Sequence, residues 1–257
     1  LIQSRRGAAS TVHDLGKAGD AGSTTLKVDG AEWAMASSLV RGAGFLHAFC
    51  VHGRPDDVRT CAAVAPGRRL QRAIQVHGDR VAVAATWSDG EAPEADAVIS
   101  ADPSVACAVR TADCAPVLVA CARTRAVAAV HAGWRGVACG VIPAAISAMV
   151  REFGASPADM VAAVGPCARS GRYEIGEEVA SAMAAAGCRG AVVRRSGAPR
   201  PFLDMARAAA IQLVAAGIAQ DRIDADPPCS IGSPWCPSHR REPSDGSRML
   251  SLVVPTL

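Results

Sequence analysis

The stretch RTADCAPVLVACARTRAVAAVHAGWRGVACG, residues 110–140, decides the fold class. Within it, APVLVACA (115–122) and AVAAVHA (126–132) are short runs of small apolar residues, fit for buried strands. Each run carries chemistry at one end. Asp113 and Cys114 stand in a turn at the start of the first, and His131 closes the second just before a Gly-Trp-Arg-Gly turn.

Outward from this stretch, strands and helices mix. ADAVIS (95–100) and VACAVR (105–110) are two more strand candidates, and GFLHAFCV (44–51) is the first convincing strand of the chain. HGRPDDVRTCAAVAPGRR (52–69), punctuated by Pro and Gly, reads as a loop. LQRAIQVH (70–77) and RVAVAAT (80–86) flank Gly78–Asp79, a hairpin-like signal. Downstream, VIPAAISAMVREFG (141–154) has helical spacing, with Pro143 in the first turn and Gly154 as the stop. DMVAAVG (159–165) reads as a strand, and EIGEEVASAMAAAG (174–187) and FLDMARAAAIQLVAAG (202–217) as amphipathic helices ended by Gly. The region from Cys229 reads as loop, closed by a short strand from Met249. Residues 1–30 lack periodicity and are expected to form a mobile tail, leaving 31–257 as a single domain. Without strict βαβ alternation, the class is α/β or α+β with a mixed sheet.

Bulk properties narrow the function. Half of the 257 residues are hydrophobic, enough for a sizeable core. A net charge of +3 with one Tyr and four Phe offers neither the basic stripe nor the stacking aromatics of a nucleic-acid binder. No apolar run reaches bilayer length, and no secretory signal is recognisable at the N-terminus, so a cytoplasmic enzyme without a membrane partner is expected. The ten Cys residues contain no C-x-x-C and lie mostly in Ala/Val-rich segments, where a thiol acts as a small buried apolar group; disulfides are not expected.

Of six His residues, His77 and His131 fall at strand ends, as does Cys114. Two imidazoles and a thiolate suit zinc and leave a fourth position open, with copper the alternative metal. Spacing alone favours a plainer account, a buried thiol and two hydrogen-bonded imidazoles. Several other sites are excluded. The chain lacks a Walker loop, G-x-S-x-G and the H-x-E…P-C-x-x-C deaminase pattern. Six His without an H-x-H pair are too few for a four-copper oxidase. Near the C-terminus, Arg240, Arg241 and Arg248 place three guanidiniums within nine residues, either a phosphate grip or a solvated basic loop.

QVHGDRV, ADAVIS, RTADCAPVLV, AAVHAGWRG, VGPCARSGRYEIGEEV, FLDMARAAAIQL and SHRREPSDGSRM, in this order, resemble the YfiH-like proteins. These are also called laccase-domain or polyphenol-oxidase-like proteins, purine nucleoside phosphorylases and peptidoglycan editing factors. The resemblance runs from about residue 42 to the C-terminus. It implies a layered sandwich of mixed β-sheets flanked by helices, with zinc held by His77, Cys114 and His131. It also implies phosphorolysis of adenosine, inosine or methylthioadenosine, with adenosine deamination as a side activity. On that reading Arg240, Arg241 and Arg248 bind phosphate, and Asp113 orients a ligand or acts as a base beside the metal, unless it only caps a turn. Two rival readings are an amide hydrolase editing peptidoglycan precursors with Cys/His chemistry, and a non-catalytic metal-binding protein. The chain departs from the family in its short segment between HAFC and QVHG, about 25 residues, where an Arg-Gly-Gly loop and a Ser-Leu-Asn stretch are usual. In its tail, CPSHRR replaces an aromatic-rich version and Ser247 stands before Arg248 in place of Gly.

Overall fold

A strand that is apolar along its whole length must be covered on both faces, and this chain provides the cover by stacking two sheets. The structure, a computed structural model, describes residues 13–17, 23–28, 32–50, 56–84, 87 and 91–256. In chain order the first elements are β1 (His13–Lys17), β2 (Ser23–Val28), β3 (Glu32–Ser37), α1 (Ser38–Gly42), β4 (Leu46–Cys50), α2 (Asp57–Val64), β5 (Arg69–Gln71) and β6 (Val81–Val83). Then come β7 (Ala97–Ser100), β8 (Val105–Thr111), β9 (Ala115–Cys121), β10 (Val127–Ala132), α3 (Trp134–Cys139), α4 (Val141–Phe153) and β11 (Met160–Val164). The chain closes with α5 (Glu177–Ala185), β12 (Val192–Val193), β13 (Phe202–Leu203), α6 (Met205–Ala215), β14 (Ile223–Asp224) and β15 (Met249–Val254).

One sheet has seven strands in the order β1-β2-β3-β4-β15-β8-β5, the other six in the order β14-β11-β9-β10-β7-β6. Both are mixed: β5–β8, β6–β7 and β11–β14 pair in parallel. Alternate residues sort to opposite faces. Leu118, Ala120, Val127 and Ala129 enter the core between the sheets, meeting Phe49, Cys107, Val109 and Val253. Their neighbours Val117, Val119, Ala128 and Val130 face Ile142, Ala145 and Met149 of α4 and Ala209 and Leu213 of α6. On the far side, Ala106, Ala108, Leu250 and Leu252 pack on Cys61 and Ala63 of α2. The layers are therefore α2, the seven-stranded sheet, the six-stranded sheet and the α3–α6 helices, the sandwich the family resemblance implies. No described helix is long and apolar enough to cross a membrane. None of the ten cysteines is joined in a disulfide.

Several local expectations are corrected. Part of the segment read as a loop is α2, started by Asp56, whose side chain accepts from the Val58 and Arg59 amides; residues 51–55 lie outside the described residues. The apparent hairpin around Gly78–Asp79 is a crossing between sheets, since β5 joins the seven-stranded sheet and β6 the six-stranded one. Within the expected tail, β1 and β2 are strands, β2 pairing with β3 over six residues so that backbone groups of both are satisfied; residues 1–12 lie outside the described residues. The GWRG turn is the start of α3, separated from α4 by Gly140, whose left-handed φ of 86° breaks the helix without a Cβ penalty.

His47 on β4 shows how the sandwich handles a polar group. It is 5% exposed, and its Nε2 accepts from the Ser37 amide while Nδ1 donates to the Phe45 carbonyl. Burial is the main cause that lowers its pKa from 6.5 to about 4. Between those values the unfolded chain binds a proton that the folded chain refuses, so stability is lost as pH falls from 6.5 towards 4. The expected loss from this residue is roughly 3 kcal/mol. Urea titrations of the wild-type chain and His47→Gln at pH 7 and pH 4.5 check it: the wild-type chain should lose more stability than the variant.

Candidate metal centre

Sheet register brings the ligand candidates together. In the β9–β10 pair, Ala132 lies opposite Ala115 and His131 opposite Pro116, so Cys114, just before β9, sits beside the end of β10. His77 arrives from another direction, in the crossing from β5 to β6. Its ring meets the His131 ring edge to face at 4.7 Å, and its Nε2 lies 3.9 Å from Cys114 Sγ. The ligand atoms of His77, Cys114 and His131 all fall within 4.8 Å of one another. His131 is buried, Cys114 half-buried and His77 exposed, so the cluster opens to one side. Gly133 permits the approach: a Cβ there would lie 3.0 Å from Cys114 Sγ and 3.0 Å from His77 Cδ2.

Two acidic side chains hold this arrangement. Asp96, fully buried ahead of β7, accepts from His131 Nδ1 at 2.7 Å and from the Val76, His77 and Gly78 amides. Burial works against its charge, but the bonds from His131, Gly78 and His77 outweigh it and hold its carboxyl below the usual range. Asp113 turns the chain with a φ of 82°. Its carboxylate accepts from Ser230 Oγ at 2.6 Å and from the Arg240 amide at 2.7 Å, tying the 229–241 loop to the residue before Cys114. Burial pushes the Cys114 thiol up, but hydrogen bonds and charge from His131 and His77 bring it down to about 6. Burial opposes protonation of His131, and the Asp96 and Cys114 contacts overcome it, raising the imidazole to about 9. A thiolate beside an imidazolium results, ready to exchange the proton for a metal ion.

Cys114 also lines a pocket of about 440 Å³, together with Ala112, Asp113, Trp134, Tyr173, Met205, His239 and Arg240. The three arginines separate. Arg240 lines the pocket, with its guanidinium 4.9 Å from the Tyr173 ring centre and Nη1 donating to the Glu174 carbonyl. Arg241 is turned into its own loop, donating to the Ser230, Ser233 and Cys236 carbonyls. Arg248 donates to the Ser247 carbonyl and does not line the pocket. Sequence reasoning missed Asp96, Gln75 and Tyr173. Asp96 carried a signal, an acidic residue opening an apolar strand; Tyr173 is the lone tyrosine of the chain. Gln75 carried none, yet its amide pairs with both the N–H and the carbonyl of Arg110 at 2.8 Å.

A family model described as multi-copper polyphenol oxidoreductase laccase matches residues 52–256. The chain belongs to this laccase-domain, YfiH-like family. A Mycobacterium bovis member named purine nucleoside phosphorylase is 38% identical over 198 residues, 76% of either chain. A Streptomyces coelicolor protein of the same name is 41% identical over 173 residues, covering 67% of this chain and 69% of that one. Among solved structures, the YfiH protein of Bacillus licheniformis superposes with a TM-score of 0.75 at 21% identity, over 87% of this chain and 96% of that one, which shows the shared laccase-domain fold. Neisseria meningitidis protein NMB0706 superposes at 0.68 with 28% identity, over 96% and 99%.

The close packing at Gly133 yields a test. Gly133→Ala should force Cys114 and His77 apart while the sheets stay folded, weakening zinc binding by about tenfold or more. Zinc titration against a chromophoric chelator, with circular dichroism to follow the fold, measures both.

Proposed function

We propose that this chain is a zinc-dependent purine nucleoside phosphorylase, converting adenosine, inosine or methylthioadenosine and phosphate to free base and the sugar 1-phosphate. The observation that carries the reading is the His77–Cys114–His131 cluster, whose Cys114 also lines a pocket with one cationic wall, in a chain whose relatives bear that enzyme name. The donor set fits zinc: two imidazoles and a thiolate, ligand atoms already gathered, and Asp96 on His131 Nδ1 leaving Nε2 free to ligate. Zinc when bound supplies a Lewis acid. The multi-copper description of the family model asks for more imidazoles than this. The described residues hold a single three-ligand cluster of this kind, and the chain has six His.

The chain's own residues supply the rest. Trp134 and Tyr173 offer flat apolar faces to a purine ring. Arg240 offers guanidinium N–H groups to a phosphate oxygen, and Asp113 keeps its loop over the pocket. In phosphorolysis the C1′–N bond breaks with its electron pair moving to the base, and a phosphate oxygen forms the new bond to C1′. Arg241 supports the loop and Arg248 stays outside the pocket, so the phosphate contact is assigned to Arg240.

A second reading is favoured by the same Cys114–His77 contact of 3.9 Å, which places a thiol beside a base as in amide hydrolysis. Substrate choice separates the two. Purified protein should release hypoxanthine from inosine only when phosphate is present, and Arg240→Ala should raise KM for phosphate about ten- to hundredfold with zinc content unchanged. Equal release in phosphate-free buffer counts against phosphorolysis. Hydrolysis of a seryl-muramic precursor with no nucleoside cleavage puts the amide hydrolase in its place.

A further inference from the structure

The geometry that holds His77 is unusual for an ordinary loop residue. Its φ is 62°, in the left-handed region that only a few per cent of non-glycine residues occupy. The turn lets three successive amides, those of Val76, His77 and Gly78, converge on one group, and that group is the Asp96 carboxylate at 3.2, 3.0 and 2.7 Å. The same carboxylate takes the His131 Nδ1 hydrogen bond at 2.7 Å, and the Asp96 carbonyl accepts from the His131 amide at 2.7 Å. Asp96 is fully buried, so water cannot substitute for any of these contacts.

We propose that Asp96 is a positioning residue that couples the two imidazole ligands, one carboxylate setting both the ring and tautomer of His131 and the left-handed backbone that carries His77. An imidazole that donates from Nδ1 presents Nε2 as its free lone pair, so the first contact decides which nitrogen faces the cluster. The three amide contacts decide where the second ring stands. Both ligands are therefore set in register by a group that touches neither metal nor substrate, and occupancy by one ligand's partner presupposes the other's. Gln75 braces the same segment from the other side, against the Arg110 backbone that leads to Cys114. This inference rests on reading the cluster as a metal site and is independent of the reaction assigned to it.

The test uses the full chain and zinc alone. Asp96→Asn keeps the volume but replaces one acceptor oxygen with an NH₂ group, which opposes the amides or the imidazole it faces. Zinc affinity, measured by competition with a chromophoric chelator, should fall about ten- to hundredfold. A merely structural Asp96 would lower the Tm and leave the zinc affinity of the folded variant within twofold of wild type; that result overturns the proposal. A second measurement needs no variant. In the zinc-loaded wild-type chain, ¹⁵N–¹H correlation should show the His131 proton on Nδ1, and a proton on Nε2 overturns the proposal even if Asp96→Asn fails to fold. A wild-type chain that binds no zinc removes the metal reading and this inference together, whereas a wild type that binds zinc beside an unaffected variant removes this inference alone.

Discussion

Two sheets packed face to face share one dry core, and a chain that builds both must cross between them where strands end. That constraint makes the site. The chain crosses at residues 112–114, where β8 of the seven-stranded sheet gives way to β9 of the six-stranded one, and again between β5 and β6 at His77. The core between the sheets is filled mainly by apolar side chains such as Leu118, Val127 and Cys107, and a polar group such as His47 enters only with its hydrogen bonds satisfied. These two crossings put Cys114 and His77 within reach of the His131 near the end of β10.

Crossings of this kind strain the backbone, and the strain is held by carboxylates, the buried Asp96 and the partly buried Asp113. His77 and Asp113 both have positive φ, which costs of order 1–3 kcal/mol per residue and persists only where surrounding contacts over-determine it. At His77 the contacts are the three amide bonds to Asp96 and the Gln75 brace. At Asp113 they are the bonds from Ser230 and Arg240, which make the turn before Cys114 and the loop bearing Arg240 one unit. Movement of that loop and movement of the ligand turn are coupled in consequence. Arg241, donating to carbonyls around the loop, stiffens it from within.

The cluster's electrostatics follow from the same burial. A half-buried thiol would ordinarily be harder to ionise, but two imidazoles at contact distance reverse the balance at Cys114. Cys61, buried with no such neighbour, goes the other way: desolvation pushes it up to about 11. Cys114 is thus set apart by its two imidazoles from buried cysteines such as Cys61 and Cys107, which serve as small apolar side chains.

Much of this was written in the local sequence. The four strands between residues 97 and 132 and helices α4, α5 and α6 follow from apolar runs and helical spacing, which are short-range properties, whereas His77, Cys114 and His131 are joined as a ligand set by the family resemblance, spacing alone favouring a plainer account. Which sheet each strand joins did not follow, because the small apolar residues of β8 and β9 look alike and pairing depends on partners far along the chain. The same reason explains the false hairpin at Gly78–Asp79: its letters read as a turn, while the backbone of residues 76–78 is bound by the side chain of the distant Asp96. The three arginines were equivalent as letters, and only the folded loop turned Arg241 inward and left Arg240 on the pocket. The sequence by itself determined which residues can ligate and which segments can be buried. Tertiary structure decided which of them meet, because contacts such as His131 with Asp96 join residues 35 apart in the chain and no local pattern encodes them.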